Sequence, residues 1–320
     1  MSDRKFNRSF RLKIETIVKD TFIEILPPFT VEFSITRHNL AKSNEATFTI
    51  YNLNKDTRAK VVKDAMDYNL AENRLAIQFF AGYAEKIGDL IPRCFNGTIR
   101  RAYSHRQGSE FRTVIEAYDG FPSFNTQMIT ANINPGETQA NAIMKIAKSL
   151  DGIDKVTVGT KFTDIAKRYT AILGAPQDVL NDLTNDRFYI DDGSAYALDK
   201  SETIDGEIRL IDVDNGLLGT PKKANIVVEV EMLFEPRIKP SQLIELKSAT
   251  DDRFNGVYQV TGIIHRGTIS GAVGGDCRTI VTMMEQKGYK VILDFATFEY
   301  RVQPSSGDFT KYDNKRGFHL

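Results

Sequence analysis

The chain is poor in the residues that most active-site chemistry needs. It has two cysteines, Cys94 and Cys277, too few for a disulfide framework. They read as small buried residues of a reducing compartment. The four histidines, His38, His105, His265 and His319, are scattered, and no Cys/His cluster offers metal-ligand spacing. No nucleophile elbow accompanies them, so a Ser/His/Asp triad has no candidate. Lys+Arg and Asp+Glu stand equal at 42 each, without the basic excess of a general nucleic-acid binder. No stretch approaches the ~18 apolar residues of a membrane span. Residues 1–19 are of mixed charge and lack the apolar centre of a signal peptide.

What is present is an ordinary globular composition over 320 residues, 41% hydrophobic and 26% charged, enough for two or three domains. The charge balance hides an asymmetry. Residues 1–118 carry 19 basic and 14 acidic side chains, residues 119–212 carry 9 and 15, and residues 213–320 carry 14 and 13. The acidic middle argues for a separate unit there.

The strongest internal pattern is a repeat. Phe95-Asn96-Gly97-Thr98 precedes Arg112-Thr113-Val114-Ile115, and Phe254-Asn255-Gly256-Val257 precedes Arg278-Thr279-Ile280-Val281. Alternating strands lie upstream of both, which predicts one small β module present twice. In the first copy, period-two alternation predicts strands over 29–35, 47–51 and 75–80, the last stopped by Gly82, and a hairpin from 93–103 and 110–118. A short helix is expected over 55–68. In the middle, 136–150 predicts a helix with Ala140, Ile143, Met144, Ala147 and Leu150 on one stripe, opened after Pro135 and ended by Asp151-Gly152. A second short helix is expected over 176–184. Asp192-Gly193 suits a tight turn between strands at 187–191 and 195–198. In the second copy, strands are expected at 207–213, 226–233, 243–247, 256–265 and 278–284. Gly216 to Pro221 reads as a loop, Gly267 to Gly275 as a mobile hairpin tip, and 288–303 as a further strand or hairpin. The fold class is therefore mainly β with an α+β insertion: two similar small β-barrel domains flanking a middle α+β domain. The boundaries are 1–118, 119–206 and 207–286, followed by a C-terminal extension over 287–320, loose unless a partner holds it.

Few residues invite a chemical role. Glu137 and Asp192 are acidic enough for paired-carboxylate glycan cleavage, but a helix start and a turn account for them. Gly271, Gly274 and Gly275 lack the Lys-Ser/Thr and following helix of a phosphate cradle. The 186–192 stretch, with Asp186, Asp191 and Asp192, lacks the spacing and terminal Glu of a calcium loop and reads as a solvated hairpin or a cation site. Arg100, Arg101, Tyr103 and His105 form a basic-aromatic group suited to a channel wall or to a solvated strand face. No catalytic, cofactor-binding or metal-binding residue is assigned, and no cofactor is expected.

Two sets of strings resemble a known family. Ser43 to Leu53, Ala81-Gly82-Tyr83 and Asn96-Gly97-Thr98-Ile99 resemble the front half of baseplate hub proteins of contractile-tailed bacteriophages, which are related to the hub part of type VI secretion spike proteins. Gly216 to Pro221, Leu233 to Pro240 and Asn255 to Val260 resemble the rear half. The likeness spans most of 29–285. It implies a homotrimer whose six barrels form a pseudo-sixfold ring between a threefold central spike protein and the sixfold tail tube protein. It also implies contact with the tape-measure protein and baseplate wedge components, DNA only in transit through the lumen, and a place in the virion tail after synthesis in the host bacterial cytoplasm. No length is spare for a fused hydrolase, so a structural, non-enzymatic role is expected. Two alternatives stand beside it. One is a peptidoglycan hydrolase or glycan-binding tail protein, supported by the acidic middle and the tyrosines near 189–196. The other is a tail tube initiator subunit, which requires one barrel per chain.

Overall fold

The computed structural model describes residues 7–18, 21–66, 75–83, 91–119, 128–150, 152–204, 208–270, 275–285 and 290–292. The first region contains β1 (Arg8–Glu15), β2 (Phe22–Ile25), β3 (Val31–His38), β4 (Asn44–Tyr51), α1 (Lys55–Met66), β5 (Ala76–Tyr83), β6 (Arg93–Gln107) and β7 (Glu110–Asp119). The middle contains β8 (Ile129–Ile133), α2 (Gln139–Lys148), β9 (Lys155–Val158), β10 (Thr170–Gly174), α3 (Pro176–Thr184), β11 (Phe188–Asp191), β12 (Ser194–Ala197) and β13 (Glu202–Ile204). Then follow β14 (Arg209–Ile211), β15 (Leu217–Ala224), β16 (Val227–Leu233), β17 (Leu243–Leu246), β18 (Gly256–Ile269), β19 (Cys277–Glu285) and β20 (Lys290–Ile292). The chain is mainly β with helices in its middle, as the periodicities predict.

The same five-strand order occurs twice. In the first region, neighbours run β3-β4-β7-β6-β5, and in the second β15-β16-β19-β18-β17. In each, a leading hairpin is followed across the sheet by the last strand, then the penultimate, then the third. The ladders agree in detail. Arg112 lies opposite Tyr51 on one side and His105 on the other, and Arg278 lies opposite Leu233 and Arg266. Five residues upstream of His105 and of Arg266, the same bulge recurs, leaving Arg100 and Thr261 as the extra residues. The Arg-Thr strings are thus structurally equivalent. The Phe-Asn-Gly strings are not: by ladder position Gly97 matches Tyr258, and Phe254 sits in a 3-10 turn before β18 rather than in a strand. Gly97 serves its own fold, since a Cβ there would stand 2.6 Å from the Tyr118 carbonyl oxygen.

The two modules form one sheet. β18 uses its first residues, Gly256 to Gln259, to pair with β17, and after the bulge it pairs over Gly262 to Ile269 with β3. The strand order over the described residues is an open path from β15 to β2, with β14 and β17 off it, rather than a closed ring of ladders. Two apolar cores lie beneath. The first holds Phe33, Phe48 and Phe79, with ring centroids 5.0 Å apart from Phe79 to each of the others. It also takes in Phe234, Ile269 and Cys277 from the second region, so burial as well as hydrogen bonding joins the modules. Each such phenylalanine contributes ~1.5–3 kcal/mol by leaving water. The second core is centred on Val228, Val230, Met232, Val260 and Val281.

The middle has its own core of Ile143, Ile146, Leu180, Phe188 and Ile190. Thr138 caps α2 by accepting from the Asn141 N–H at 3.3 Å. Of the expected stripe, Ile143, Ala147 and Leu150 are buried, Ala140 and Met144 are only half-buried, and Ala142 and Ile146 are buried in addition. The helix begins at Gln139, later than the predicted start, and α3 against it sets which face turns inward. Several other expectations change. The predicted loop at 216–221 is the start of β15, whose bulge between Leu218 and Lys222 absorbs Gly219 and Pro221 without ending the strand. Gly82 lies inside β5 rather than stopping it, because the strand pairs with β1 through Arg8↔Tyr83. β1 and β2 form a hairpin that the sequence reading passed over. Of the predicted tip, Gly267 lies within β18 and 271–274 fall outside the described residues. Of 288–303, only β20 is described, paired in parallel with β13.

Candidate functional site

Three regions of the chain meet at a buried polar junction. Arg37, near the end of β3, points its guanidinium at Asp191 on β11. Its Nε donates to Oδ1 at 2.7 Å, and Nη2 donates to Oδ2 at 2.5 Å. Both side chains are almost wholly buried. Burial works against the Arg37 charge, but the Asp191 carboxylate more than offsets it, so the Arg37 pKa lies above the ordinary guanidinium value. Arg37 also donates to the Ile238 carbonyl at 3.3 Å, and Asn44 donates to Asp191 at 3.1 Å and to the Ile190 carbonyl at 3.0 Å. Beside this pair Arg93 grips Asp192, Nε to Oδ1 at 2.8 Å, and the Asp192 N–H donates to Asp119 at 2.6 Å. Burial, with the Asp191 charge added, pushes the Asp119 carboxyl up to about 8. The tight turn at Asp192-Gly193, with φ of 54° and 76°, drives this hairpin tip into place. On its other side the Tyr189 hydroxyl donates to the Pro240 carbonyl at 3.4 Å. The hairpin β11–β12 is therefore a key held by the first module through Arg37, Asn44, Arg93 and Asp119 and by the second through Pro240, while the Ile238 carbonyl braces Arg37 itself.

The acidic residues singled out from the sequence resolve into structural partners. Asp191 and Asp192 belong to the junction, and Asp186 is a left-handed residue after α3. Among the described residues no group of three His, Cys, Asp or Glu side chains is set to hold a metal ion. Glu137 closes a turn, its carboxylate accepting from the Asn134 N–H at 3.1 Å. It shares with Asp164 a shallow cleft of about 230 Å³ beside α2, and Asp192 is not part of that cleft. Gly275 is described, close against Thr268, whereas Gly271 and Gly274 fall outside the described residues. The basic-aromatic group does come together. Arg101, Tyr103 and His105 share one face of the outer half of β6, with the Tyr103 and His105 rings stacked at 5.9 Å and Arg101 ion-paired to Glu116. Arg100, the bulge residue, donates to the Tyr118 hydroxyl at 2.8 Å. Tyr189 and Tyr196 stack at 5.0 Å but are buried, so they present no glycan platform.

One face of the continuous sheet is turned away from the cores. Across β15-β16-β19-β18-β3-β4-β7-β6 its residues are mostly threonines, serines and charges, interspersed with Val114, Leu233, Ile264 and Ile280. Arg278 pairs with Glu231 at 2.9 Å, Lys222 with Glu229 at 3.8 Å, and the Tyr51 hydroxyl donates to Glu32 at 2.8 Å. No helix among the described residues is long and apolar enough to cross a membrane. Sequence reasoning missed this face because it depends on strands far apart in the chain. Its one local signal was the polar phase of each alternating strand.

Comparison with known proteins agrees with the geometry. The family model described as "Baseplate hub gp41" matches residues 11–266. No curated protein matches the sequence. Among solved structures, a 43 kDa tail protein of prophage MuSo2 from Shewanella oneidensis is similar at TM-score 0.57 and 12% identity, over 87% of this chain and 97% of that one. A tail protein from Neisseria meningitidis MC58 gives 0.55 and 10%, over 88% and 97%. An E. coli component of the type VI secretion system, described as structurally similar to T4 bacteriophage tail proteins gp27 and gp5, gives 0.52 and 10%, over 86% and 77%.

Proposed function

The chain belongs to the baseplate hub gp41 family, and on that premise we propose that three copies close into a ring of six β modules between the threefold central spike and the sixfold tail tube of a contractile tail. Membership makes it a structural component of the virion tail. The ring, its symmetry and its neighbours are our reading. The observation that carries it is the twofold occurrence of one strand order in a single sheet, which lets each chain occupy two adjacent positions of a near-sixfold arrangement. The mostly polar face of that sheet would line the central passage for tape-measure protein and DNA. The middle unit, bounded at about 119 and 206 on this reading, would hang outside the ring, keyed in through Asp191. The tail tube initiator alternative needs one module per chain, and the repeated ladder argues against it. The glycan alternative has its support in the acidic middle and the tyrosines near 189–196; against it, Tyr189 and Tyr196 are buried and Glu137 accepts a turn hydrogen bond from Asn134.

Sedimentation analysis and negative-stain imaging of the purified chain, alone and with its spike, test the reading. The expected particle has three copies and six lobes around a hollow. A strict monomer under both conditions, or a ring of six chains, would overturn it.

A further inference from the structure

One backbone seam between the middle unit and the second module is closed by a strand from the far end of the chain. β13 carries the chain out of the middle unit, and all three of its residues are buried. Glu202 binds on both sides of the seam. Its carboxylate accepts from the Thr160 N–H and hydroxyl, each at 2.8 Å, and from the Asp199 N–H at 3.0 Å, all within the middle unit. Gly159 allows this approach, because a Cβ there would collide with the carboxylate. The Glu202 carbonyl accepts from the Gln259 side chain of β18 at 2.8 Å, and the Ile204 N–H donates to the Ser241 carbonyl at 3.1 Å. Backbone groups alternate in direction along a strand, so Thr203 turns its N–H and carbonyl to the opposite side. There β20 lies parallel, with Glu202↔Lys290, Thr203↔Val291 and Ile204↔Ile292. In that register the Thr203 N–H meets the Lys290 carbonyl, and the Thr203 carbonyl meets the Ile292 N–H. A buried strand cannot leave these groups to water, so the C-terminal extension supplies the last pairing of the seam.

We propose that the C-terminal extension is a releasable strap: β20 laid along β13 fixes the middle unit against the second module, and its withdrawal loosens that seam while both sides stay folded. The pairing has only three rungs and is parallel, the weaker of the two ladder types. The middle unit and the second module each have a core of their own, around Ile143 and Leu180 in one and around Val230 and Val281 in the other, so neither depends on the seam for its interior. The Arg37–Asp191 pair ties the middle unit to the first module at a separate place. A loosened seam therefore leaves the unit attached and changes its freedom to turn. The strap acts within one chain and is independent of the ring reading above.

Hydrogen exchange of the full chain, read by mass spectrometry, tests this. Ile292→Pro removes the N–H that pairs with Thr203, and Thr297→Pro places the same residue in the extension beyond β20. The Thr203 amide is expected to exchange at least ~tenfold faster in Ile292→Pro than in the unmodified chain, and within about twofold of it in Thr297→Pro. Peptides from α2 and β16 keep their rates in both variants. In the unmodified chain the Thr203 amide already exchanges faster than those of β18, because the strap opens without global unfolding. An unchanged Thr203 rate in Ile292→Pro, equal acceleration by both prolines, or equal acceleration in α2, β16 and β13 overturns the proposal. So does a Thr203 amide as slow as those of β18 in the unmodified chain, since such a seam opens only when the whole fold does.

Discussion

At the scale of single residues, the junction around Arg37 and Asp191 is the most demanding feature of the molecule. Nothing local announces it, since Arg37 ends an ordinary alternating strand and Asp191 looks like a turn acid 154 positions later. Only the packing of β11 against β3 converts them into one group. Removing one partner strands the other charge in the interior, which costs about 3–5 kcal/mol. Asp191→Ala is therefore expected to lose about that much stability in urea unfolding, whereas Glu137→Gln should change it by under ~0.5 kcal/mol. Titration adds a pH signature. Burial holds His38 down to about 4 and His265 down to about 3, both below the unfolded value of 6.5. Each thus contributes stability that is full above 6.5 and lost as the pH falls toward those values. Asp119 has the opposite sign: its folded value of about 8 exceeds the unfolded 3.8, so the folded state binds the extra proton and loses stability as the pH rises from about 4 to 8. Two rising contributions against one falling one place the maximum near pH 6.5. Asp119→Asn, which keeps an acceptor for the Asp192 N–H, should flatten the decline between 6.5 and 8 in a melting series.

Among elements, the strands with a clean two-residue period were legible, and so was α3, whose span coincides with the expected 176–184. β1 carried the same signal in Phe10, Leu12 and Ile14, all buried, but its interleaved charges made it look like a tail. β15 was illegible because its glycines and proline serve a bulge, and a bulge has the composition of a loop. The repeat was legible in its Arg-Thr strings and misleading in its Phe-Asn-Gly strings. Ladder equivalence is a property of pairing, and sequence strings report it only when both copies keep the same residues at the same rungs. The matched bulges give this scale its own expectation. Thr261 is the residue that lets β18 pair with β17 before it and β3 after it. Its deletion would bring Val260 and Gly262 into consecutive rungs opposite Met283 and Thr282, straightening β18 between its two ladders without changing which side chains face the core. The expected outcome is a lower urea midpoint with the cooperative transition kept, read by circular dichroism.

For the molecule as a whole, the pairing of β3 with β18 has a temporal consequence. The ribosome delivers β3 more than two hundred residues before its sheet partner β18 emerges. Until then the nascent amino-terminal half holds an open strand edge and lacks Phe234, Ile269 and Cys277 from its interior. Closing so distant a contact is slow, and a half-built sheet is prone to stick to its neighbours. Neither half can therefore be finished before β18 has emerged, and a cell making many copies at once has reason to keep chaperones close to the translating message.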